Sequence, residues 1–170
     1  LLIVCMFVCQ LRGSHRHLHG VRRLQRQICI RATSRRPPSP APRAGNRRLP
    51  RPGPIRVVTW NLEWAPPSRR ERIARRLEEL DPDILCATEA DREILPAGGH
   101  SADTAPDTGY GVRGGRRKGI LWSRWPLEEI DRIGDPGLPP GRFVAATCRT
   151  PSGPLRLVCV CVPWSHAHVS

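Results

Sequence analysis

The chain has 170 residues, room for one domain of ordinary size, and a formal net charge of +13. That charge looks like a nucleic-acid signature until it is located: residues 1–54 hold twelve arginines and no acid, while from residue 55 onward sixteen basic residues face all fifteen acids. The near-neutral second segment argues against a dedicated duplex-DNA binder, and the seven cysteines, with no CxxC pair, supply no zinc cluster.

The opening run LLIVCMFVCQL is apolar but too short to span a bilayer, which takes about twenty residues. It lacks the basic leader of a secretory signal, although a signal fragment missing its start remains an alternative. The stretch that follows is rich in Arg and Pro, shows no apolar periodicity, and reads as a disordered basic tail over residues 1–54 or as upstream sequence translated from an early start. His15, His17 and His19 alternate within it and read as part of that tail rather than as a metal site. The cysteines read as small buried apolar residues in a reducing compartment, which points to the cytoplasm. Only Lys118 is lysine; every other basic residue is arginine, a bias that fits a GC-rich coding sequence.

From Ile55 the pattern becomes orderly. Ile55 to Trp60 reads as a mostly buried strand ending at Asn61. Pro66 and Pro67 break the chain, and Ser68 with Glu71 forms a capping box for a helix from about Arg69 to Leu80. Ile73, Leu77 and Leu80 share one helix face, and Asp81-Pro82 stops it. Ile84 to Thr88 is a second strand, ending at Glu89. Strand, crossover helix and strand predict a parallel βαβ unit. Asn61 and Glu89 then meet at the carboxyl ends of neighbouring strands, where α/β sheets hold their ligands.

Residues 96–117 read as a surface loop, and Arg116, Arg117 and Lys118 as a solvated basic loop, with a role facing phosphate as the alternative. Gly119 to Ser123 and Leu127 to Ile133 read as strands, and Arg142 to Thr150 and Leu155 to Val162 as a hairpin around Pro151-Ser152-Gly153. Trp60 and Trp122 are expected in the core; Trp64, Trp125 and Trp164 are left open, and Glu63 reads as a solvated loop residue. Tyr110 is a weaker candidate for reaching the site from its loop.

TWNLEW, then DPDILCATE, then KGILWSRWPL, then the hairpin ending VCVPW resemble the endonuclease/exonuclease/phosphatase superfamily in order and spacing. The resemblance covers residues 55–170 and none of the tail. It implies an α/β fold, a deoxyribonuclease I-like four-layer α/β sandwich, present here in part. It also implies divalent-metal-dependent phosphoester hydrolysis, usually with Mg2+, with Mn2+ as another cation of the same class. Glu89 matches the family's metal-binding glutamate, and Asn61 the asparagine that contacts the metal shell or the scissile phosphate. The substrate class is a phosphoester, nucleic acid among the candidates; no transmembrane segment and no protein partner is indicated.

The family's Gly-Asp-x-Asn and Asp-His elements do not occur: Asn46 and Asn61 are the only asparagines, and no Asp is followed by His. His166 and His168 are the candidate substitutes for the catalytic histidine. The expectation is a C-terminally truncated domain of weak or no activity, with the sheet of the hairpin left bare. The alternative function is an Arg-rich nucleic-acid-binding module on a catalytically dead domain.

Overall fold

The computed structural model describes residues 2–9, 30–32, 54–106 and 114–163. Two sheets pack face to face. One has the strand order β2-β3-β4-β6-β5, built from β2 (Ile30–Ala32), β3 (Ile55–Asn61), β4 (Ile84–Asp91), β5 (His100–Asp103) and β6 (Arg116–Ser123). The other has the order β1-β9-β8-β7, built from β1 (Leu2–Cys9), β7 (Leu127–Asp131), β8 (Phe143–Thr150) and β9 (Gly153–Pro163).

The layers follow from period-two alternation. Val57, Ile84, Cys86, Ala102 and Leu121 of the first sheet meet Val144, Ala146, Cys148, Leu157 and Cys159 of the second in one core. Val58, Leu85, Ala87, Ile120 and Trp122 point the other way and form a second core with Ile73 and Leu77 of helix α1 (Pro67–Leu80). Strand β4 serves both cores, which is why it is buried along nearly its whole length. The result is an α/β sandwich of one helical layer on two sheets; an outer layer on the second sheet is not present among the described residues.

β3 and β4 are parallel, with Asn61 opposite Thr88, as the βαβ reading requires. Several boundaries depart from the sequence reading. Pro66 is the N-cap of α1 and makes no side-chain cap bond, so the Ser68–Glu71 capping box does not form. Proline at the first helical position lacks only an N–H that would go unpaired there, so Pro67 opens the helix instead of preceding it. The expected loop over 96–117 contains β5, whose Ala102 is buried against β6 through a pairing of His100 with Ser123 and Asp103 with Ile120. A four-residue edge strand among Gly, Asp and Pro is too short to declare itself by alternation.

Within the stretch read as a structureless tail, the structure contains β1 and β2. β1 lies parallel to β9, Leu2 opposite Arg156 and Cys9 opposite Pro163. Eight apolar residues cannot cross a bilayer but suit a strand on a sheet edge. The rest of residues 1–53, with His15, His17 and His19, lies outside the described residues. Cys86, Cys148 and Cys159 are buried thiols, as expected. Cys161 is disulfide-bonded, which corrects the reading of all seven as reduced. On β9, Leu157, Cys159 and Cys161 face the core, while Val158, Val160 and Val162 are half-buried on the outer face. No helix among the described residues is long and apolar enough to cross a membrane.

Candidate active site at the carboxyl rim of the first sheet

The parallel β3–β4 pair ends at one rim, and the antiparallel β6 begins there. Asn61 closes β3. Its Oδ1 accepts the Glu63 N–H at 3.0 Å, an Asx turn that bends the chain off the strand. The turn is pinned to β4, because Leu62 N–H donates to the Thr88 carbonyl and Trp64 N–H to the Glu89 carbonyl, both at 2.9 Å. Asn61 and Glu89 thus lie at one rim, on adjacent strands.

Glu89 lies inside β4, one residue past the expected strand end, with φ 49°. A left-handed glutamate within a strand breaks the alternation: Leu85 and Ala87 face α1, and so does Ala90, one position out of phase. Glu63 and Trp64, at φ 50° and 53°, are left-handed too. Three non-glycine residues in that region at one rim is the kind of strain that gathers at functional sites.

Pairing on either side, Thr88 with Gly119 and Ala90 with Arg117, sets Glu89 opposite Lys118. Lys118 Nζ donates to Glu89 Oε1 at 3.1 Å, with the two side chains only 4 % and 5 % exposed. The Trp64 ring lies over the same ammonium, 4.9 Å from Nζ to its centroid, and Arg116 reaches that ring at 5.7 Å. The reading of residues 116–118 as a solvated loop is therefore corrected: they open β6, and Lys118 is buried. A short basic run gives no sign in sequence that one member will point inward.

The neighbouring charges have structural partners. Buried Asp103 accepts from Arg92 Nε at 2.8 Å and lies 2.8 Å from Arg117 Nε. Asp91 caps the short 3-10 helix Arg92–Ile94 through the Glu93 N–H and pairs with Arg70 at 3.1 Å. Asp91 is thus the acid that initiates this short helix. Glu63 is exposed, with Arg69 3.9 Å away. Trp122 is buried and Trp60 and Trp125 partly so. Tyr110, Trp164, His166 and His168 lie outside the described residues.

Among the described residues no group of three or more His, Cys, Asp or Glu side chains converges to hold a metal. The donors present are one rim carboxylate, Glu89, and an Asn61 oxygen already engaged in its turn. That set does not fit a closed protein cage. Of the metal ions, one of the Mg2+ type, which takes only one or two carboxylates, suits so few donors, and here Glu89 Oε1 is held by Lys118.

Residues 58–169 match the endonuclease/exonuclease/phosphatase family. No curated protein matches the chain. Among solved structures it is similar to the endonuclease domain of TRAS1, a telomere-specific non-LTR retrotransposon, at 18% identity and a TM-score of 0.42, covering 62% of this chain and 45% of that one. It is similar to humanized TDP2 of D. rerio at 16% and 0.44, covering 61% and 45%. It is similar to the 3' phosphatase NExo from Neisseria, bound to product DNA hairpin, at 20% and 0.38, covering 60% and 39%. The chain spans less than half the length of each of these three. With more than half of its residues matched in one continuous run, the chain belongs to the endonuclease/exonuclease/phosphatase family.

Proposed function

We propose that the protein hydrolyses phosphoester bonds with a divalent cation, Mg2+ or Mn2+, and that this chain supplies the Asn61–Glu89 part of the site. The observation that supports this reading is the meeting of those residues at the carboxyl ends of adjacent parallel strands, one of them a buried acid in a left-handed conformation. Glu89 would hold the cation through its carboxylate, and the chemistry such an ion would supply there is polarisation of a phosphoryl oxygen and stabilisation of the leaving group.

Asn61 would work beside it. With Oδ1 committed to the Glu63 N–H, its amide hydrogens are the groups left to donate to a non-bridging phosphate oxygen. A neutral donor approaches an anionic phosphate without repelling it. Arg116 and Lys118 add positive potential at the rim. His166 and His168 are the proposed proton carriers. The Gly-Asp-x-Asn and Asp-His elements do not occur in these residues, and general acid–base help contributes roughly 10²–10⁴-fold. The 170 residues alone are therefore expected to turn over poorly.

In an active protein that carries this chain, Glu89→Gln and Asn61→Ala should each lower Mg2+-dependent hydrolysis of a phosphodiester by about two orders of magnitude, the scale of losing a preorganised electrostatic contact. Unchanged turnover in Glu89→Gln would remove Glu89 from the mechanism.

A further inference from the structure

The residue that the family resemblance assigns to a metal is already neutralised in this chain. Lys118 Nζ takes Glu89 Oε1 at 3.1 Å, and the pair is enclosed. The β4–β6 ladder brackets it on both sides, and the Trp64 ring roofs the ammonium. Trp64 is itself held over the pair by its N–H to the Glu89 carbonyl at 2.9 Å. The backbone at Glu63, Trp64 and Glu89 is left-handed to bring these groups together.

The residue type adds to the case. Of the chain's 28 basic residues, 27 are arginine, and the one lysine stands here. An ammonium is a compact point charge on a flexible stem, whereas guanidinium is a wide planar fork. A carboxylate bound by a point charge of one unit occupies the same kind of place as a carboxylate bound by a small cation.

We propose that Lys118 is a resident cation that competes with a divalent metal for Glu89, so that a metal loads there only as the ammonium withdraws. This rests on reading Glu89 as the metal ligand and goes beyond it by making loading an exchange of one cation for another. The stem of Lys118 permits the exchange, and the Trp64 ring, which already lies over the ammonium, would keep contact with it once Glu89 is released. Lys118 is on this view a positioning residue that controls occupancy.

A merely structural lysine makes a different prediction, because its removal would cost stability and gain nothing. The test is Mn2+ binding to the 170-residue chain, followed by electron paramagnetic resonance of the free ion, with thermal melts to check folding. Lys118→Gln and Lys118→Met should bind Mn2+ about 10-fold tighter than the parent or more, the scale on which groups around a metal ligand tune affinity. Their melting temperature should rise with Mn2+ by a margin the parent lacks. Lys118→Arg should stay as weak as the parent, and adding Glu89→Gln to Lys118→Gln should abolish the gain.

A folded Lys118→Gln that binds no tighter than the parent overturns the proposal, while loss of the parent's binding in Glu89→Gln would leave the metal reading intact. Parent and both neutral variants all ignoring Mn2+ would overturn the two together. If the neutral variants do not fold, the parent decides by nuclear magnetic resonance. On adding Mg2+, the Glu89 amide and the Trp64 indole should shift with one midpoint. A Glu89 amide that moves while the Trp64 indole stays fixed, or an absence of response at both, overturns the exchange.

Discussion

The first sheet carries charge at both of its ends, in two forms. At the end where β3 and β4 begin, Arg124 donates to Asp83 at 3.1 Å and to Asp81 at 2.9 Å, and Arg56 donates to Asp81 at 2.7 Å. The Arg56 N–H adds a bond to Asp83 at 2.9 Å. These groups are a quarter to half exposed or share several hydrogen bonds, and they tie the α1–β4 connection to the turn after β6. At the opposite rim, beside the ion pairs of Asp91 and Asp103, the Glu89 carboxylate meets the Lys118 ammonium with almost no solvent. An open network adds a little stability at little cost; a buried lone pair costs desolvation that its attraction barely repays. Charge kept where stability gains least from it supports the proposal that the rim is the chemical end.

The sharpest way to break that contrast is to remove one member of the rim pair. Glu89→Leu should destabilise by roughly 3–5 kcal/mol in urea melts, because it strands a buried ammonium, and adding Lys118→Met should recover most of the loss. A loss below about 1 kcal/mol would put the rim pair in the same class as the open network. Between the two ends lies Gly119, where a Cβ would come 3.0 Å from Cys159 Sγ and 3.0 Å from Thr104 Cγ2. Gly119→Ala should therefore cost roughly 1–3 kcal/mol by pushing the sheets apart.

Arg124→Gln at the far end should cost only about 1 kcal/mol, and less at high salt. The smallest effect is expected at Cys148, whose thiol sits beside Ser123 Oγ at 3.0 Å near that same end. Burial raises its pKa above the ordinary 9.0, with the Ser123 hydrogen bond partly opposing. A raised folded pKa means that the native state keeps a proton the unfolded chain loses. Its contribution is thus whole below about pH 9 and fades as pH climbs through the folded value. Melts at pH 7.5 and pH 10 should show a slightly shallower decline for Cys148→Ala than for the parent; identical declines would contradict it.

Much of the fold was legible because its signals are local. Val57, Val58, Leu85 and Ala87 alternate or run apolar between clear breakers, and Ile73 and Leu77 repeat at helical spacing. β5 was not legible, since His100–Asp103 takes its strand form from pairing with β6. β1 was not, since an apolar run of eight residues fits a strand, a leader or a tail until a partner edge is known. At the site, Asn61 and Glu89 were found through strand ends and family spacing. Lys118 was missed as an inward-facing group because its burial depends on the register of β6 against β4 and on the turn that carries Trp64 over it. A search for a basic residue directly across a strand from the rim acid would have found it.

The most direct test of the chemical end is paramagnetic broadening of backbone amides by Mn2+ added to the isotope-labelled chain. Broadening should concentrate at Asn61, Trp64, Glu89 and Lys118 and spare Arg56, Asp83 and Arg124. Broadening centred on Asp81–Asp83, or spread evenly over both ends, would contradict the assignment of the rim as the cation site.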